Sequence, residues 1–177
     1  ELDFILLAQE CGYAGLPEPL VDTVLIGVPL LSALGSEQLD LQSEWLTRVA
    51  EGKARLAVGE PGNPLVADAH VAELLLLPHG DELHAVPRSA VNLTRNPSVD
   101  PSRQLFRVDW LPSAATCVAA AEQGRALWAS SVNRGALGTA APVHRSLALQ
   151  AGVARVEQGA ALDDRHAGAR RAGRYHG

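Results

Sequence analysis

The sequence has no methionine, and its aromatic residues make up only 4% of 177 positions. So few rings exclude a base-stacking platform of the kind that single-stranded nucleic acid requires. An excess of positive charge is missing as well. Fifteen Lys and Arg against 20 Asp and Glu leave a formal net charge of −5, which removes the basic face that phosphate neutralisation needs. Cysteine is scarce: Cys11 and Cys117 each stand far from a second thiol, so neither a C-x-x-C redox pair nor a cysteine metal site is written. Both are expected to be buried, reduced and small-apolar in character, which suits a cytoplasmic protein. Long apolar runs are lacking too. The longest, VLIGVPLLSAL at 24–34, falls short of the roughly 20 residues that cross a bilayer and carries Pro29 in its middle. No basic segment followed by an apolar stretch opens the chain, so no secretory signal is expected. With Glu1 first and no Met anywhere, a natural start upstream of these residues is expected.

What remains is a chain that is 47% apolar, enough for one real core and a small second one. Its patterning falls into parts. Residues 1–52 carry helical periodicity, broken at Gly15 and Pro17, with a second helix starting near Pro19. A third opens with Ser36 at an N-cap position and ends at Gly52. From Lys53 the pattern changes to short apolar runs bounded by turns: ARLAV, HVAELLLLP, ELHAVP, VNLT and LFRVDW. HGDE, at 79–82, reads as a four-residue hairpin turn. Residues 53–111 therefore predict a small antiparallel β module. Residues 112–141 are Ala-rich and helical in period, with Val118, Leu127, Val132 and Leu137 as apolar positions. Residues 142–177 form a divergent Arg/Gly/Ala-rich tail, whose last dozen or so residues are expected to be disordered. The class is α+β.

Several groups of residues invite a chemical reading. His70, His79 and His84 lie near Asp68, Glu73, Asp81 and Glu82, yet neither H-E-x-x-H nor a zinc ligand pair is present. The imidazole of His79 is expected to point from the hairpin turn into water, and no metal site is predicted. Ser130 and Ser131 have no G-x-S-x-G context and read as helix residues. VGEPGNP at 58–64 has neither the Lys-Ser/Thr of a P-loop nor G-x-G-x-x-G, and by motif is a turn. DDRHAGARR, at 163–171, could be drawn as a phosphate patch, but it reads as a solvated, unfolded tail.

The order of parts, together with three phrases, resembles the acyl-CoA dehydrogenase family over roughly residues 4–141. LLAQECGYAGLPEPLVDTVLIGVPLLSALGS is similar to the late part of that family's N-terminal helical domain, especially in actinobacterial steroid- and lipid-degrading members. EWLTRVAEGKARLAVGEP resembles the passage into the middle β domain and its T-E-P-G loop. SSVNRGALGTAA resembles the helix that opens the C-terminal helical domain. The resemblance implies FAD as cofactor and an acyl-CoA thioester as substrate. A carboxylate would remove the α-proton while the β-hydrogen leaves as hydride to the flavin.

Residue by residue, the resemblance is partial. Val58 and Gly59 occupy the flavin-contacting positions, with Gly59 where the family has Thr, so the hydroxyl is lost and only the Gly59 amide is left to donate. Asn133 stands where some members carry the catalytic Glu, and an amide cannot abstract a proton. Arg134, next to it, is the implied substrate-binding position. A flavin-covering strand pair is expected to be missing after Asn63. The R-x-Q-F-G phrase that grips the flavin pyrophosphate is absent, and after Pro142 the likeness stops, as a truncated or shifted reading frame would make it do. The expectation is an acyl-CoA dehydrogenase-like chain acting in a homo- or hetero-oligomer with another subunit of that family, and inactive alone. The alternative is a non-catalytic interaction subunit or an inactive fragment.

Overall fold

A computed structural model of the chain describes residues 2–14, 21–99, 104–138 and 140. The expected helix start near Pro19, the breaks at Gly15 and Pro17, and the tail beyond residue 141 lie outside the described residues. The class is α+β, as the patterning predicts.

Among the described residues three helical units precede the sheets. Helix α1 spans Leu2–Ala14. A π-helical stretch, Val21–Gly27, runs directly into α2, Val28–Ser32. A 3-10 turn at Ser36–Gln38 leads into α3, Leu39–Ala50. The expectation that Ser36 caps this helix is corrected: Ser36 lies inside the 3-10 turn, and neither that turn nor α3 has a side-chain cap. Instead Gln42 donates back to the carbonyls of Leu34 and Gly35, at 3.0 and 3.3 Å. The exit at Gly52 is as expected. Its φ of +70° suits glycine, while Gly52 N–H donates to Val49 O and Lys53 N–H to Arg48 O, the paired bonds of a Schellman stop. Among the described residues no single helix is long and apolar enough to cross a membrane.

Among the described residues seven strands follow: β1 Leu56–Val58, β2 Leu65–Ala67, β3 Leu74–His79, β4 Glu82–Pro87, β5 Asn92–Asn96, β6 Leu105–Asp109 and β7 Cys117–Ala119. They form a four-stranded sheet of order β1-β3-β4-β7 and a three-stranded sheet of order β2-β6-β5. All pairs are antiparallel except β1 with β3, so the first sheet is mixed rather than purely antiparallel.

The run Leu74-Leu75-Leu76-Leu77 explains the layering. Alternate side chains of a strand point to opposite faces. Leu74 and Leu76 pack with Ile26, Leu30, Leu31, Trp45 and Trp128 on the helical side, while Leu75 and Leu77 pack with Val66 and Phe106 of the second sheet and with Val91 just before β5. Strand β1 divides in the same way, Leu56 and Val58 toward the helices and Ala57 toward the second sheet. The result is helix, sheet, sheet, with β3 in the middle and all four of its leucines at most 2% exposed. Burial of each stabilises by roughly 1.5–3 kcal/mol.

The π-helix is tied to β1 by Thr23, whose hydroxyl accepts from Leu56 N–H at 3.1 Å and donates to Leu56 O at 3.0 Å. Thr23 thus stands in for a neighbouring strand. Helix α1 packs Phe4 and Ala8 on Leu25 of the same stretch.

Two expectations for the last part of the chain are corrected. The region from Ser113 is not helical throughout: residues 114–116 turn, and Cys117–Ala119 pair with β4. The Ala-rich composition favours helix, but the open edge of β4 and the burial of Val118 and Ala119 override it. Helix α4 then runs over 121–138. The cysteines are free as expected, but each is half-buried rather than buried.

Candidate functional site

The tip of the β3–β4 hairpin separates two recesses. The turn itself is two residues, Gly80 and Asp81, because His79 and Glu82 pair across it; this corrects the four-residue reading. Gly80 has φ +61° at the first central position, as a II′ turn requires.

On one flank lies the VGEPGNP segment. Val58 ends β1 and is buried. Pro61 and Gly62, with φ +81° at Gly62, form a type II turn closed by Asn63 N–H to Glu60 O at 3.0 Å. Asn63 Oδ1 then accepts from Leu65 N–H at 3.0 Å and directs the chain into β2, a strand that sequence patterning missed. The Gly59 amide donates to Leu76 O at 2.8 Å, so the donor left over in the sequence reading is engaged in the sheet. A Cβ at Gly59 would come 3.1 Å from both Leu77 Cδ2 and Pro78 Cδ, so a threonine there would press on β3.

Helix α4 faces this turn. Its positions 124, 127, 128, 131 and 138 are buried at helical spacing. Trp128 Nε1 donates to Glu82 O at 3.2 Å, and Arg125 bonds Asp81 Oδ2 at 3.2 and 2.6 Å, so the helix is docked on the hairpin tip. Between turn and helix an open groove of 800 Å³ is lined by Glu60 and Pro61 on one wall, Asp81 at its end, and Arg125, Trp128, Ala129, Val132, Gly135 and Ala136 on the other. Beyond Arg125 and Trp128 the helical wall consists of small residues and of Val132, which is 58% exposed, an apolar surface.

The structure does not bring the other sequence-picked residues here. Val58 and Gly59 lie behind the turn, and neither lines the groove. Asn133 is exposed and also outside the lining. Arg134 sits on the far side of α4 from Val132 and Ala136, and donates to Ser130 Oγ at 3.2 Å. Gly138 fits because a Cβ there would come 2.6 Å from Leu25 Cδ2, so the small residues of the NRGALG phrase serve close packing on the π-helix.

Behind the groove, the carboxyl of Asp22 in the π-helix is partly buried and near Asp68 and Glu60. Burial first, then these two negative neighbours, raises its pKa from 3.8 to about 6. Asp68 itself has φ +50°, a left-handed conformation that Asp tolerates better than most residues.

On the other flank of the hairpin tip, a recess of 650 Å³ holds His79, Glu82, His84 and Cys117. Glu82 Oε2 lies 3.2 Å from His84 Nε2 and 3.5 Å from His79 Nδ1. His84 is only 2% exposed, covered by Trp110 with ring centroids 5.0 Å apart. Hydrogen bonding with His84, then with His79, holds the Glu82 carboxyl below its ordinary range. Sequence reading names these three residues among others and predicts no metal site for want of H-E-x-x-H spacing; the signal that joins them is that of strands, with Glu82 and His84 two apart on one face and His79 the cross-strand partner of Glu82.

No family model matches the sequence, and no curated protein matches it. Solved structures do. The chain is similar to the ChsE4-ChsE5 complex from Mycobacterium tuberculosis (17% identity, TM-score 0.66, 87% of this chain and 50% of that one). It is similar to the steroid ACAD Tcur3481-Tcur3483 (19%, 0.65, 88% and 50%) and to an FAD-dependent dehydrogenase (14%, 0.64, 81% and 49%). The fold is therefore that of the acyl-CoA dehydrogenases, and the chain spans about half the length of the structures it matches.

Proposed function

We propose that this chain is an acyl-CoA dehydrogenase-like subunit that contributes one wall of an FAD site and acts with a second subunit supplying the catalytic base. The observation that carries this reading is the groove between the Glu60-Pro61 turn and the small-residue face of α4, on a fold whose similar structures include an FAD-dependent dehydrogenase. FAD, when bound, supplies hydride acceptance.

The groove fits the ring end of that cofactor and not its phosphate end. A flat wall of Ala129, Val132, Gly135 and Ala136 opposite Pro61 suits a planar ring, and the volume lies in the range of small-molecule sites. For a diphosphate the groove offers two carboxylates, Glu60 and Asp81, against one guanidinium, which already bonds Asp81. An anion gains nothing there. Asn133 cannot serve as base, and Asp22, partly buried behind the groove, does not line it. Grip on the diphosphate and proton abstraction both fall to another chain. Among the similar structures, two are named as pairs of different proteins, which favours a heteromeric arrangement.

The substrate on this reading is an acyl-CoA thioester of lipid or steroid side-chain breakdown. Co-expression with candidate base-carrying subunits tests it. Dehydrogenation of an acyl-CoA is expected from the complex and from neither chain alone. Turnover by the isolated chain with added FAD would refute the division of labour. A stable complex in which this chain adds nothing to activity or flavin content would favour a non-catalytic interaction subunit.

A further inference from the structure

We propose that His79, Glu82 and His84 form a binding site for a zinc-type divalent metal ion, on the opposite side of the hairpin from the proposed flavin groove. The ligand set is two imidazoles and one carboxylate, which suits zinc and similar transition ions. Bonds of about 2.0–2.2 Å in a tetrahedron place neighbouring ligand atoms about 3.3–3.6 Å apart. The two nitrogen–oxygen separations here, 3.2 and 3.5 Å, are close to such edges. All three ligand atoms lie within 4.8 Å of one another, and the widest gap closes by a swing of the His79 ring, which is 59% exposed at the end of the hairpin.

The surroundings of His84 prepare it as a ligand. Its Nδ1 lies 3.0 Å from Thr116 Oγ1, and the Thr116 hydroxyl donates its only proton to Ser113 O at 3.0 Å. By accepting from His84 Nδ1–H, Thr116 holds the ring with Nε2 turned to Glu82. Fixing a ligating imidazole through its other nitrogen is how metal centres orient histidine. A cation entering between Nε2 and Glu82 Oε2 takes the place of the proton that the pair shares without it. The half-buried Cys117 thiol in the same recess turns to Ala119 O at 3.6 Å, so the fourth position opens on the recess and takes water.

Titration of the purified chain with Zn²⁺ against a chromophoric chelator at neutral pH tests the site. One ion per chain is expected. His79→Asn and Glu82→Gln, both at exposed side chains that leave the core intact, are each expected to weaken binding at least about 100-fold, and Thr116→Val about 10–100-fold. Co²⁺ in place of Zn²⁺ is expected to give the intense visible bands of a four-coordinate site. The proposal is overturned if no stoichiometric ion binds, or if both ligand variants hold zinc as tightly as the parent, as they would were the ion on His144, His166 or His176.

Discussion

The two flanks of the β3–β4 hairpin are built from neighbouring residues and have opposite characters. Asp81, at the tip, meets the guanidinium of Arg125 and closes the end of an apolar groove. Glu82, one residue on, turns the other way into a recess with two imidazoles. Asp81 lies in the turn while Glu82 opens β4, so adjacent carboxylates serve unrelated purposes. On the groove flank the charged end is internally neutralised and the wall is apolar, a surface suited to an uncharged planar group. On the other flank acceptors converge, a surface suited to a cation. The lesson is that the acidic character of H-G-D-E-L-H is not one property but two.

The groove flank depends on the docking of α4, and its largest vulnerability is Trp128. Trp128→Ala removes a side chain that is 4% exposed and leaves the Glu82 carbonyl without its indole donor. A loss of about 3–5 kcal/mol is expected in denaturant unfolding, with the groove wall lost. Retention of full stability would break the claim that this helix is held by the hairpin.

A smaller, pH-dependent effect is expected at Asp22. A carboxyl whose pKa is raised by folding favours its protonated form. Stability is therefore greatest below the unfolded pKa of 3.8 and falls as pH rises through about 6, after which the loss is constant. Asp22→Asn is expected to gain on the order of 2–3 kcal/mol at pH 7 and nothing at pH 3, read from unfolding midpoints at both pH values. An equal effect at both would contradict the assigned cause.

The smallest effect belongs to the most visible ion pair. Arg125→Ala breaks the bonds to Asp81, but both side chains are well exposed, and solvent screens them. The thermal midpoint is expected to stay within error of the parent. A clear drop would mean that the tip of the hairpin is more tightly coupled to α4 than its exposure indicates.

Much of this architecture was legible in the sequence, for identifiable reasons. The Leu74–Leu77 run announced a strand, whose burial on both faces the structure adds, and Gly52 announced the end of α3. Strands β2 and β7 were not legible. Three residues are too few to display a period of two; β1, equally short, shows only as part of the run ARLAV, while Cys117–Ala119 sits in a stretch whose composition favours helix until β4 offers its edge. The candidate sites were less legible still. Gly59 was picked as a donor, but its N–H is taken by Leu76, a fact of register and not of motif. Arg134 was picked for its place in a phrase, while helical geometry turns it away from the groove that Arg125 and Val132 line. The ligands of the proposed ion site come together only through the two-residue hairpin, which a four-residue reading of HGDE had hidden.

The central claim is that the small-residue face of α4 walls a flavin ring within a heteromeric site. The most direct test is the flavin content of the complex formed with a base-carrying partner, compared between the parent chain and Ala129→Trp, whose indole would fill the groove. Stoichiometric FAD is expected for the parent complex and a loss of affinity of at least about tenfold for the variant, corresponding to about 1.4 kcal/mol. Equal flavin content and affinity in both complexes would contradict it.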